Sequence, residues 1–142
     1  MKIKFKKLDP AASTPRQGTP GSAGFDLTAI SMRWNAEYSV AEYGTGIAVE
    51  IPPGYVGLCF PRSSVFKTGT FLSNGVGVID SDYRGEIKAK FYDRIGVDGK
   101  MYDVGDRIIQ LVIVPIQDVD FVETDELSET ARGTGGYGST GR

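Results

Sequence analysis

The stretch NGVGVIDSDYRGE, residues 74–86, holds three carboxylates within seven residues, Asp80, Asp82 and Glu86. Asp80 follows Val78 and Ile79 directly. A carboxylate at the edge of an apolar environment is suited to act as a base. On spacing alone, a solvated hairpin turn is the better account of Asp80, Ser81 and Asp82, with Arg84 and Gly85 closing it. Asp26 lies between Phe25 and Leu27, where a turn cap or an ion pair to an arginine competes with a functional role. Arg62, Ser63 and Ser64 follow Pro61 and offer a guanidinium fork and two hydroxyls to an anion, or simply cap a surface helix. Gln110 interrupts the apolar run RIIQLVIVP, so its amide needs partners, in the core or on a ligand. The last eleven residues, RGTGGYGSTGR, contain five glycines. Such a run exposes successive N–H groups, as a phosphate nest does, with Arg132 for charge and Tyr137 for stacking on a flat base. By itself it reads as a disordered tail. No lysine follows its glycines as in a Walker loop.

Composition narrows the chemistry. The chain has no histidine, which removes Ser-His-Asp triads, Cys-His pairs and His-built metal sites together. Hydrolysis near neutral pH would have to use a carboxylate, lysine or tyrosine as base. The formal net charge of -2 argues against a nucleic-acid coat. No run approaches the ~20 apolar residues of a membrane span, and the basic, alternating start lacks a signal-peptide core, so a cytoplasmic protein is expected. The single cysteine, Cys59 in YVGLCF, is expected to be a buried reduced thiol.

The elements that must position these groups are short strands. A chain of 142 residues with 19 glycines and 7 prolines suits one all-β domain, a barrel or jelly-roll-like sandwich. KIKFKKL predicts a half-buried strand with lysines outward. Further strands are predicted at FDLTAI, on both sides of the Pro52-Pro53-Gly54 turn, and at GVGVID. In EIKAKFYD, Ile87, Ala89 and Phe91 face inward and Lys88 and Lys90 outward. Asp98-Gly99 signals a hairpin, and RIIQLVIVP a strand in the middle of the core. Helical turns are expected only in PRSSVFKTG and DELSETA.

Taken in order, AGFDL, PRSS, NGVGVIDSDYRGE, GDRIIQL and RGTGGYGSTG resemble the five motifs of the homotrimeric dUTPases, the deoxyuridine triphosphate nucleotidohydrolases. The resemblance runs from about Ser22 to the C-terminus, and its third and fifth motifs are the specific ones. It implies a distorted jelly-roll (β-clip) barrel with a C-terminal arm. Residues 1–142 would form a single domain, with 131–142 as a flexible lid. Three active sites would each draw on all three chains of a homotrimer: one giving the first, second and fourth motifs, another the third, and the last its tail. By the same resemblance, Asp80 would activate the water that attacks the α-phosphorus of dUTP, giving dUMP and pyrophosphate. Asn74 and the backbone of Gly77, Val78 and Ile79 would read uracil, and Tyr83 would pack under the deoxyribose. Arg62, Ser63, Ser64 and Gln110 would hold phosphates. Arg132 would meet the γ-phosphate, Tyr137 would cover the base, and Gly136, Gly138, Ser139 and Thr140 would wrap the phosphate chain. Mg²⁺ would be chelated mainly by the triphosphate, with Asp26 reaching its water shell.

Three features depart from the pattern. Tyr137 stands where phenylalanine is commoner, Ile109 where alanine is usual, and PRSSVFKTGTFLSN is about one residue shorter than in many cellular members, as in phage-type sequences. The alternatives are a dCTP deaminase of the same fold, a nucleotide-responsive binder that controls a partner protein, and a trimeric structural protein. IDSDYRGEIKAK lacks the Pro-Gly and Thr-Leu-Glu runs of the deaminases.

Overall fold

The computed structural model describes residues 1–93, 99–139 and 141. Two four-stranded antiparallel sheets enclose one core. The first has the order β2 (Phe25–Thr28), β10 (Arg107–Pro115), β6 (Tyr55–Pro61), β8 (Gly77–Ile79). The second has the order β3 (Ser31–Asn35), β4 (Val40–Gly44), β9 (Lys88–Asp93), β7 (Thr70–Leu72). A ribbon of β1 (Lys4–Lys7) and β5 (Ile47–Glu50) completes a distorted jelly roll. Among the described residues the only helix is a 3₁₀ turn at Ser63–Lys67, inside the predicted PRSSVFKTG segment. No described helix is long and apolar enough to cross a membrane.

Alternation in the sequence places the core. Ile87, Ala89 and Phe91 are almost wholly buried while Lys88 and Lys90 are exposed, as the pattern requires. Phe91 meets Tyr43 and Tyr102 edge to face, with ring centres 5.8 and 5.4 Å away. The apolar run of β10 lies between β2 and β6, with Ile108, Ile109 and Leu111 buried. Cys59 is buried and free, and burial pushes its thiol up to about 12, which keeps it protonated and unreactive. The Pro52–Tyr55 turn forms as expected: the Tyr55 N–H donates to the Pro52 carbonyl at 3.2 Å, and Gly54 supplies φ +80°.

Other expectations were not met. β1 is exposed along its whole length, with Phe5 as well as the lysines open to solvent, because only β5 pairs with it. DELSETA forms no helix. Its Leu127 is exposed, and a stretch this short lacks the tertiary contact that stabilises a helical turn. Asp98, of the proposed Asp98-Gly99 turn, lies outside the described residues. Strands β3, β4 and β7 have no counterpart among the predicted segments.

Candidate active site

The strands of the first four motifs all lie in the first sheet, and its register decides which side chains meet. Gln110 of β10 is opposite Asp26 of β2 and Phe60 of β6. Two residues beyond Phe60, Arg62 continues the same face. Arg107 is three residues before Gln110, an odd offset that would normally put it on the other face. A bulge between Arg107 and Ile109 adds one residue and restores it, pairing Arg107 with Thr28. The bulge also lets both Ile108 and Ile109 be buried.

The outcome is a compact polar cluster. Asp26 Oδ1 accepts from Arg62 Nε at 2.8 Å, and its Oδ2 from Arg107 Nη1 at 3.0 Å. The Asp26 side chain is 10% exposed and Arg62's is 26% exposed, so water screens this pair less than a surface ion pair. The ion-pair account of Asp26 is therefore the one its geometry fits. Gln110 Nε2 donates to the Pro61 carbonyl at 3.2 Å, and Gly24 leaves the space for it: a Cβ there would lie 2.8 Å from Gln110 Oε1. Arg62 is the N-cap of the 3₁₀ turn and its carbonyl accepts from the Val65 N–H at 2.9 Å, which holds Ser63 and Ser64 beside the guanidinium. Beneath them, Tyr102 Oη is buried without a hydrogen-bond partner, the one such side-chain atom among the described residues. Burial pushes its phenol up, with the nearby Ser64 hydroxyl and Arg62 charge acting in the opposite direction. A cleft of about 310 Å³ beside Asp26 is lined also by Arg16, Thr28 and Arg107.

Asp80 lies elsewhere. Asn74, Gly77, Val78, Ile79, Asp80 and Tyr83 line a separate cleft of about 290 Å³, floored by Cys59 and Ile87. Val78 is 60% exposed at its rim. β8 runs antiparallel to β6, with Gly77 opposite Cys59 and Ile79 opposite Gly57. Continuing that register by one residue puts Asp80 level with Val56 of β6, six residues before Arg62. At ~3.3 Å per residue, about 20 Å of strand separates the two. The Tyr83 N–H donates to the Asp80 carbonyl at 3.2 Å, closing the predicted turn, and Arg84 Nη1 braces it through the Ser81 and Tyr83 carbonyls at 2.7 and 2.9 Å.

The tail contacts neither cluster through hydrogen bonds among the described residues. Arg132 Nε donates to the Gly135 carbonyl at 2.8 Å, and the Ser139 N–H to that of Gly136 at the same distance. Gly138 adopts φ +85°, and Tyr137 is fully exposed. Thr140 and Arg142 lie outside the described residues. The single chain therefore brings Asp26, Arg62, Ser63, Ser64 and Gln110 together, brings Asn74 to Tyr83 together, and among the described residues joins neither group to the tail by hydrogen bonds. Sequence reasoning passed over Arg107, Gly24 and Tyr102. Arg107 stands inside the quoted GDRIIQL, but only the bulge turns it toward Asp26.

The chain has known relatives. The family model described as dUTPase matches residues 11–141. The deoxyuridine 5'-triphosphate nucleotidohydrolase of Nautilia profundicola is 42% identical over 145 aligned residues that cover 100% of both chains. That of Corynebacterium glutamicum is 43% identical over 141, covering 99% of this chain and 95% of its own. Among solved structures, the Staphylococcus bacteriophage 80alpha dUTPase with dUpNHpp matches with a TM-score of 0.83 at 27% identity, over 99% of each chain.

Proposed function

The chain belongs to the dUTPase family and is a dUTP diphosphatase, and from that premise we propose that dUTP binds at the seams of a homotrimer. In this reading Asp80 of one protomer activates the water, and the Arg62 cluster of a second holds the phosphates. The tail, residues 131–142, closes as a lid from the third.

The observation that carries this reading is the separation of the two clusters. A general base must reach the attacking water, and so must lie within a hydrogen bond or one water of the reacting centre. The groups that neutralise the triphosphate must touch the same molecule. With about 20 Å of strand between them, Asp80 and Arg62 of one chain serve different nucleotides.

Around Asp80, Asn74 and the backbone of Gly77 to Ile79 present donors and acceptors to the uracil edge. Cytosine, with the reversed pattern, would leave buried polar groups unpaired. Tyr83 lies under the deoxyribose and excludes a 2′-hydroxyl. Arg62, Ser63, Ser64 and Gln110 contact the phosphates, and Asp26 holds Arg62 in place. From the lid, Arg132 meets the γ-phosphate and Tyr137 covers the base. Gly136, Gly138, Ser139 and Thr140 wrap the phosphate chain.

Mg²⁺ fits as a metal carried by the substrate. Among the described residues no three carboxylates or cysteines gather into a cage. A carboxylate has about four lone-pair positions, and the two arginines use two of those on Asp26. The rest can accept from waters in the Mg²⁺ shell, and a bound ion would supply charge neutralisation on the triphosphate.

A second role, as a nucleotide-responsive binder of a partner protein, is favoured by the 80alpha relative, since phage dUTPases are described as controlling transfer of virulence genes by a G protein-like mechanism. A cytoplasmic protein, as the sequence leads one to expect, suits either role.

Pyrophosphate release with dUTP, dCTP, dTTP and UTP side by side tests the reading. Rapid release from dUTP alone is expected. Ammonia release from dCTP, or equal turnover of UTP and dUTP, would contradict it.

A further inference from the structure

Glu86 takes no part in the scheme above, yet it joins the Tyr83 turn to the barrel. Its main-chain carbonyl accepts from Tyr83 Oη at 3.0 Å. Its side-chain Oε1 accepts from the Gly46 N–H at 2.8 Å, at the corner between β4 and β5. Its Oε2 is 3.7 Å from Lys88 Nζ. One residue thus holds the tyrosine with its backbone and holds itself to the neighbouring corner with its carboxylate.

Both ends of this link are shaped to receive it. A Cβ on Gly44 would lie 2.7 Å from Glu86 Oε1 and 2.6 Å from Ser31 Oγ, so that glycine leaves both side chains their space. Gly46 adopts φ +64°, which aims its N–H into the corner. Next to it, the buried Thr45 Oγ1 donates to the Ile87 carbonyl at 2.6 Å, and the Ile87 N–H donates to the Ile47 carbonyl at 2.8 Å. At the other end, the Tyr83 ring folds over Gly85, where a Cβ would lie 2.4 Å from Tyr83 Oη. The exposed ring is therefore held by the Glu86–Ile87 peptide, which the Ile87 N–H ties to Ile47 and the Glu86 carboxylate ties to Gly46.

We propose that Glu86 is a positioning residue for sugar discrimination: by anchoring to Gly46, it holds Tyr83 at the height that excludes a 2′-hydroxyl. This rests on the reading of Tyr83 as the surface under the deoxyribose. A misplacement of a few tenths of an ångström is enough, because the exclusion of one oxygen atom depends on close contact. A substitution that frees the turn admits UTP without removing any group that touches the phosphates.

The test is the ratio of kcat/KM for UTP to that for dUTP, measured on the assembled protein and on Glu86→Ala, Glu86→Gln and Tyr83→Ala. Glu86→Ala should raise the ratio on the order of ten-fold, the scale of one lost charge-assisted hydrogen bond. Glu86→Gln keeps an oxygen for Gly46 and should stay within about three-fold of the parent, a rescue that a general loss of structure would not give. If Glu86→Ala fails to fold, Gly44→Ala crowds the same carboxylate, together with Ser31 Oγ, from the other side and should raise the ratio in the same direction. Parent-like ratios in Glu86→Ala or Gly44→Ala, with a raised ratio in Tyr83→Ala, overturn the proposal and leave the Tyr83 reading intact. A parent-like ratio in Tyr83→Ala overturns that reading and the proposal together. Equal relaxation in Glu86→Gln and Glu86→Ala also overturns it, because the hydrogen bond would then not be what matters.

Discussion

Replacing Asp80 with asparagine should lower kcat by ~10²–10⁴-fold, the usual worth of a positioned acid–base group. A non-hydrolysable dUTP analogue should still bind at least as tightly as to the parent. Asparagine has nearly the same shape and can still hydrogen-bond a water, but it cannot take its proton. It also removes a negative charge from the neighbourhood of a triphosphate, so the ground-state complex loses nothing. The fold should not change, because Asp80 is exposed and its turn is closed by its main-chain carbonyl. Rapid-quench turnover, with calorimetry on the analogue, separates the two effects. Near-parental turnover would remove Asp80 from the role of base, and loss of binding would make it a recognition residue.

Deleting residues 132–142 should reduce kcat/KM by at least ~10²-fold, the scale set by losing one preorganised donor to a developing charge, and should leave the thermal midpoint and oligomeric state unchanged. The tail's hydrogen bonds among the described residues run within the tail or to the exposed Thr130 just before it, and Tyr137 is fully exposed. The folded body therefore gains nothing from it. Its contribution lies in the closed complex, where Arg132 and the glycine-rich backbone N–H groups would replace water around the phosphates. Glycine makes this arm costly to order, so part of the nucleotide's binding energy is spent on closing it. Unaltered kinetics in the truncated protein would make the segment a bystander.

Much of the molecule could be read from its residues, for physical reasons. EIKAKFYD and RIIQLVIVP announce their strands because one face, or both, must leave water. The five motifs could be read because glycines, charges and hydroxyls in fixed order leave few other uses for them. β3 and β4 were passed over because Arg33, Asn35 and Glu42 interrupt them, and Met32 and Trp34, which should mark an inner face, stay half exposed. β7 has only three residues, too few to show a period. The partners of Asp26 were out of reach for a different reason. Its pairing with Arg62 and Arg107 depends on strand register and on one bulge, and neither is a property of any local stretch. The Glu86 anchor likewise depends on a corner forty residues earlier in the chain.

The central claim is that Asp80 and the tail of one active site belong to different chains. Asp80→Asn protein and protein lacking residues 132–142, each nearly inactive alone, can be unfolded together in equal amounts and reassembled. In a cyclic trimer each mixed assembly then contains one site with an intact carboxylate and an intact lid, so about a quarter of parental dUTP turnover should return. If the mixture stays as inactive as its components while mixed trimers are shown to form, the site is not shared between chains and this account is wrong.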